Sequence, residues 1–319
     1  MEKILRRTSY VLGVLVTAAM LAGCGGGLAN SIPAPLQNAT QPSAGYARPA
    51  SSTGSLLYVS NYGDSNVTVY SWPSGKLEET LDVPAGPVGE CTNASGTVWI
   101  TGQGADAVVE YAHGNTKQVA KLGDPGNNPH GCSLNPKNGD LAVTNINSNN
   151  GAPSGTLAIY AGAKGSPTIY QDASIYRYYF CGYDSSGNLY VDGIQRDNSF
   201  VLAELPSGAS KLTVLSLKQS ISTPGGVQWD GKHITVGDAS KSVVYQFSVS
   251  GNTATVVGST SLKGGDAAAY YIDSSASEVV ALITDSSKAG IWKYPTGGSP
   301  TTSVTLSATD QPIDLVISE

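Results

Sequence analysis

Pro129-His-Gly-Cys-Ser-Leu-Asn-Pro-Lys-Asn-Gly-Asp-Leu-Ala-Val143 reads as a short strand, a tight turn and a second strand. Asn135 and Gly139 supply what the turn needs: a side-chain oxygen that caps its own loop, and a residue that accepts positive φ without steric cost. Weaker copies open at Asn93, Asp184, Asp230 and Asp273, at intervals of 42, 49, 46 and 43 residues. A period of this length decides the fold before any other feature does, because one such unit cannot bury its apolar faces alone and must stack on its neighbours.

Each unit continues in the same way. After the second strand comes a polar turn, then a third strand ending in an aromatic, as in Val67-Thr-Val-Tyr70, Val108-Val-Glu-Tyr111, Leu157-Ala-Ile-Tyr160, Val243-Val-Tyr-Gln-Phe247 and Gly290-Ile-Trp-Lys-Tyr294. A turn such as Pro73-Ser-Gly75 and a Thr/Val-rich fourth strand follow. Four short strands in roughly 44 residues make a β-propeller blade. Residues 54–319 hold six of them. The domain opens at Leu56-Leu-Tyr-Val-Ser60, which matches a second strand, and closes at Pro312-Ile-Asp-Leu-Val-Ile-Ser318, which matches a first strand. The C-terminal strand is therefore expected to pair into blade 1 as its innermost strand, removing an exposed edge. The fold class is all-β, a six-bladed propeller of four-stranded blades.

Residues 1–23 have the form of an export signal, with Lys3, Arg6 and Arg7 ahead of a short apolar run. Leu21-Ala-Gly-Cys24 resembles the lipobox of bacterial lipoproteins. That resemblance implies cleavage before Cys24, diacylation of its thiol and anchoring on the extracytoplasmic side of a membrane. Gly25, rather than Asp, follows and implies the outer membrane where the cell has one. Residues 24–53 then form the lipidated Cys and a Gly/Pro/Ser/Gln tether that lacks the apolar surface to fold. Cleavage removes three positive charges and one negative, taking the net charge from −6 to −8. An acidic domain argues against nucleic acid as a partner; membrane attachment through Cys24, an envelope protein or a small ligand as partner, and a monomeric state are expected. Cys91, Cys132 and Cys181 remain, either as three small buried hydrophobes or as one disulfide and one free thiol.

Pro-x-Gly, an apolar strand, Asx-x-x-Gly and Leu-Tyr-Val together resemble the NHL and YVTN class of propeller repeats, although the second strands lack the usual NHL continuation. That class fixes architecture and leaves activity open. A more distant similarity is to the gluconolactonase-like propellers, whose metal site uses a Glu in Gly-Glu-Gly-Pro, an Asn in Pro-Asn-Gly and an Asp in Pro-Asp-Gly. Here Gly89-Glu90 matches the first in part, with Cys91-Thr92 in place of Gly-Pro, Pro129-His130-Gly131 replaces Asn by His, and Pro224-Gly225-Gly226 loses the carboxylate. The resemblance thus leaves Glu90 and His130 as the metal-ligand candidates.

The loops joining strand 4 to the next strand 1, and strand 2 to strand 3, share one face, which is where propellers commonly bind. On it Glu90, His130, Arg177 and Asp266 break the equivalence of the blades, and Tyr178 lies in the densest aromatic run, Ile175-Tyr-Arg-Tyr-Tyr-Phe180. These five are the ligand-binding candidates. The aromatic run serves either to stack on a ligand or to pack blade 4. Asn61, Asn145, Asp192, Asp238 and Asp285 close the second strands at places read as equivalent; they make either a ring of oxygens for a hard cation such as calcium or a repeated loop cap. No nucleophile elbow, phosphate loop or zinc motif occurs. The expectation is a membrane-tethered propeller that binds a ligand or protein at its loop-rich channel mouth without catalysis and without a required cofactor. The alternative is a metal-dependent lactonase or hydrolase centred on Glu90 and His130.

Overall fold

The computed structural model describes residues 54–83, 85–124, 127–148, 154–306 and 311–319. The expected export signal, Cys24, the expected tether and Asn149–Asn150 lie outside them, as does Asp310. The described chain forms six sheets in sequence order around one ring. Their innermost strands are Pro312–Ser318, Pro87–Thr92, Asn127–Leu134, Arg177–Tyr183, Pro224–Trp229 and Gly265–Asp273, for blades 1 to 6. The C-terminal strand is the innermost strand of blade 1 and pairs antiparallel with Leu56–Asn61, from Leu56 opposite Ser318 to Ser60 opposite Asp314. One detail departs from four strands per blade. In blade 5 a two-residue strand, Ser216–Leu217, adds in parallel outside Thr253–Ser261.

The repeated turns do what their residue types require. Oδ1 of Asn93, Asn135, Asp184, Asp230 and Asp273 each accepts from the backbone N–H two residues ahead. That bond replaces the turn's missing backbone partner. The third strands then deliver one large side chain per blade into the interior: Tyr70, Tyr111, Tyr160, Leu205, Phe247 and Trp292, all buried. Two of the tyrosines also tie blades together. Tyr111 donates through its hydroxyl to the Asp82 carbonyl on the outer strand of blade 1, and Tyr160 to the Gly123 carbonyl on the outer strand of blade 2. A buried phenol without such a partner would cost stability.

A second device joins the inner strands. Ser60, Thr101, Thr144 and Asp192 hold one register position in blades 1 to 4, opposite Val67, Val108, Leu157 and Leu202. Thr101 Oγ1 accepts from Gly89 N at 2.7 Å and donates to the His130 carbonyl of the next blade at 2.7 Å. Thr144 repeats this with Gly131 N and the Tyr179 carbonyl. Asp192 accepts through Oδ1 from Phe180 N of its own blade at 2.8 Å, and burial pushes its carboxyl well above the usual range. Ser60 donates to a side chain, Glu90 Oε1.

This register corrects the reading of five equivalent Asx residues. Asn61, Asn145 and Asp238 do share a position, opposite Pro312, Pro129 and Pro224. Asp192 sits one residue earlier, and a one-residue offset in a strand turns the side chain to the other face. Asp285 lies two residues past the last strand position, Ile283, with φ of 55°. The three equivalent residues serve their own surroundings: Asn61 donates to Asn66 and Thr68, Asn145 donates to Thr156, and Asp238 binds Ser222 N, Ser240 Oγ and Lys241.

Cys91 and Cys132 form a disulfide between the inner strands of blades 2 and 3, with Cα atoms 5.7 Å apart. Cys181 is a free, buried thiol in the blade 4 core. Of the two readings of the cysteines, one bridge plus one free thiol is the one that the structure adopts.

Candidate functional site

The inner strands enclose an axial cavity of about 920 Å³. Its wall is built from the C-terminal halves of those strands, and its mouth from the strand 1–2 turns at Asn93–Ser95 and Asn135–Lys137 and the 3–4 turn at Gly162–Lys164. That mouth is at the opposite pole from the loop face expected to bind. Of the five candidate residues, Glu90 alone lines the cavity.

Glu90 is held by neighbours from blade 1. Its Oε1 accepts from Ser60 at 2.9 Å, and its backbone N–H donates to Asp314 Oδ2 at 2.8 Å. Asp314 Oδ1 accepts from Leu315 N, and Asp314 also lines the cavity. Glu90 is 8% exposed, and its Oε2 has no hydrogen-bond partner. Two carboxylates on adjacent inner strands, with no ion pair to either among the described residues, make an unbalanced acidic pair. Burial, then the Asp314 charge, pushes the Glu90 carboxyl well above its usual range, and the Ser60 bond offsets only part of this. Burial raises Asp314 to about 7, with Asp266 adding to the effect. The pair therefore holds a proton near neutrality. Asp266 is thus within electrostatic reach from blade 6, and its Oδ1 caps Ala268 N.

His130 and Arg177 form a separate group on blades 3 and 4. The His130 ring meets Tyr179 edge-on at 5.6 Å and Phe180 at 5.1 Å. Its Nδ1 is buried without a partner, and burial lowers its pKa to about 4, so the imidazole is neutral at physiological pH. The Arg177 guanidinium lies 5.4 Å from the Tyr176 ring centre, and its interactions with Tyr179 first and Tyr176 next push its pKa further up. Arg196 covers the same ring at 4.8 Å. These two are the only arginines of residues 54–319. Tyr178 belongs to neither group. It is fully buried in the blade 4 core, and its hydroxyl accepts from Asp172 N. For Tyr178 the packing alternative holds, because a bulge between Tyr178 and Cys181 shifts the strand and turns this ring inward.

The metal-ligand set implied by the gluconolactonase resemblance does not fit these residues. Gly225 stands at the third position, His130 is packed among aromatics, and no group of three His, Cys, Asp or Glu suited to a metal occurs among the described residues. The residue missed in the sequence is Asp314. Its one visible signal was a carboxylate inside an otherwise apolar closing strand.

No family model matches the chain, and no curated protein matches it either. Solved structures do. A chain of a nidogen/laminin complex aligns with a TM-score of 0.63 at 9% identity, over 83% of this chain and 99% of that one. A functionally unknown protein from Desulfotomaculum acetoxidans DSM 771 aligns with a TM-score of 0.58 at 11% identity, over 84% and 99%. The β-propeller domain of Cps50 (Swd1) from Myceliophteria thermophila gives 0.53 at 10% identity, over 77% and 85%. At these identities the likeness is one of fold: the chain is a six-bladed β-propeller.

Proposed function

We propose that this protein is an exported, lipid-anchored binding module whose ligand enters the axial channel, without catalysis of its own. The observation that carries the reading is Glu90: a buried carboxylate whose Oε2 is unpaired and which forms part of the wall of a cavity large enough for a small molecule. Burying an unsatisfied polar group costs stability that packing alone does not return, and a ligand that bonds to it recovers that cost. The lipobox at Leu21–Cys24 supports anchoring, with the tether of residues 24–53 holding the propeller off the membrane.

Native mass spectrometry of protein extracted from membranes tests the binding. A co-purifying small molecule, lost in Glu90→Gln, is expected. An empty channel, together with an unchanged melting temperature across a broad metabolite library, would overturn the reading. Fractionation tests the anchor: Cys24→Ser should move the protein from membrane to soluble fractions, and retention in the membrane would count against lipidation.

A further inference from the structure

The axial cavity is lined unevenly in charge. The strands packed on the Glu90 strand come from blades 1, 2 and 3, and they bring Asp314, Tyr58 and His130. Asp266 on the inner strand of blade 6, outside the lining, acts on Asp314 through its charge. None of these is a cation: His130 is neutral, and the Tyr58 hydroxyl is pushed up to about 12, by burial first and by the Glu90 charge in addition. Lys137 and Lys164 stand only at the mouth. Aromatic side chains line the cavity from three further blades, Phe180 from blade 4, Trp229 from blade 5 and Tyr271 from blade 6, each part-exposed.

We infer that the channel takes a small organic cation, a protonated amine or quaternary ammonium, whose charged end seats between the Glu90 and Asp314 carboxylates and whose body lies against Phe180, Trp229 and Tyr271. The inference rests on the binding reading above and names its ligand class. A cation cancels the charge that burial penalises, and a protonated amine also supplies the donor that Glu90 Oε2 lacks. Aromatic lining favours an organic cation over a hydrated one. Two carboxylates and one hydroxyl fall short of the six to eight oxygens that calcium takes. With no ligand bound the pair holds a proton, so the incoming cation displaces it: one N–H···O or ion-pair contact forms, and one proton leaves to solvent.

Isothermal titration of the full-length protein in detergent tests this, with putrescine, agmatine and choline as probes and 1,4-butanediol, succinate and calcium chloride as counterparts. At least one organic cation should bind, about tenfold more tightly at pH 8 than at pH 6, with proton release read from two buffers of different ionisation enthalpy. Glu90→Gln should weaken it at least tenfold. Asp314→Asn is the second variant, to be read if the first does not fold. Butanediol binding as tightly as putrescine, or cation binding unchanged in both variants, would overturn the cation assignment and leave the binding reading standing. Stoichiometric calcium lost in Glu90→Gln would replace it with a metal site. Binding of none of the three organic cations would overturn it outright, whereas the binding reading itself falls only with the native-spectrum test.

Discussion

The backbone N–H of Glu90 donates to the carboxylate of Asp314 at 2.8 Å, across 224 residues of sequence. One bond thus joins the closing strand to blade 2 and sets two acids side by side. Its cost depends on pH. Asp314 titrates at about 7 when folded against 3.8 as the reference value, so the native state binds more protons than the unfolded state between those limits. Stability must then fall as pH rises from about 4 to about 7, with the penalty full above that. His130 works the other way. Its folded value of about 4 lies below the reference 6.5, so it favours folding increasingly as pH rises through that window. The two contributions partly cancel in the wild type and separate in variants. Asp314→Asn should gain about 1–2 kcal/mol of stability at pH 8 relative to pH 5, compared with wild type, which is roughly 2–8 °C in melting temperature. His130→Phe should shift the same difference in the opposite direction. Scanning calorimetry at the two pH values reads both, and identical pH profiles for all three proteins would refute the assignment.

The Cys91–Cys132 bridge closes a loop with a sequence separation of 41 and links two blades through their inner strands. Losing it frees the unfolded chain, at a cost of about 2–4 kcal/mol. Urea denaturation of Cys91→Ser/Cys132→Ser should show that loss together with a larger m-value, because the unbridged unfolded chain exposes more surface. Cys181 should stay unreactive toward iodoacetamide in the native protein, because it is buried and burial pushes its thiol pKa up. Fast alkylation of one cysteine in native protein would contradict the placement.

Much of this architecture was legible because it is written in local chemistry. Asn93, Asn135, Asp184, Asp230 and Asp273 announce turns through an oxygen that bonds two residues ahead, and the closing strand shows itself as a first strand at the wrong end of the chain. The site was legible only in part. Glu90 stood out as a carboxylate where other blades carry none, but Asp314 acquires its meaning from a neighbour in another blade, which no local pattern reports. The Cys91–Cys132 pairing depends on how two inner strands are staggered, and spacing does not fix that. Asp192 resembles Asn61 and Asn145 in sequence but sits one residue earlier in its strand, and that offset turns its side chain from its own loop to the backbone of the inner strand.

Thr144 shows how such a link can be tested without touching the cavity. Its hydroxyl is the partner of Gly131 N and of the Tyr179 carbonyl, both at the blade 3–4 seam. Thr144→Val keeps the shape and removes both bonds, leaving buried backbone groups unmet at a cost of about 1–3 kcal/mol. Thr144→Ser should recover most of it. Chemical denaturation of the two variants separates the hydroxyl from the methyl group, and equal stability of Val and wild type would remove the seam bond from the account.

Gly89 and Gly139 are both glycines of the repeat, and they are required for different reasons. Gly139 has φ of 74° and open space around the position of a Cβ. Gly139→Ala therefore meets only the backbone penalty of the left-handed region, about 1–2 kcal/mol, and Asn there should cost less. At Gly89 a Cβ would fall on the carbonyl oxygen and carbon of His130, both backbone atoms, with the Gly131 Cα beside them. Those atoms cannot rotate away, so Gly89→Ala must push the inner strands of blades 2 and 3 apart. The movement strains the neighbouring Cys91–Cys132 link and the Thr101 bond to the His130 carbonyl. More than about 3 kcal/mol is expected, well beyond ordinary surface substitutions. It should come with a loss of soluble yield and with altered chemical shifts at Glu90, whose backbone follows directly. Urea midpoints for the two alanine variants make the comparison. If Gly89→Ala is as mild as Gly139→Ala, the blade 2–3 seam is looser than the structure shows, and the geometry that presents Glu90 to the channel fails with it.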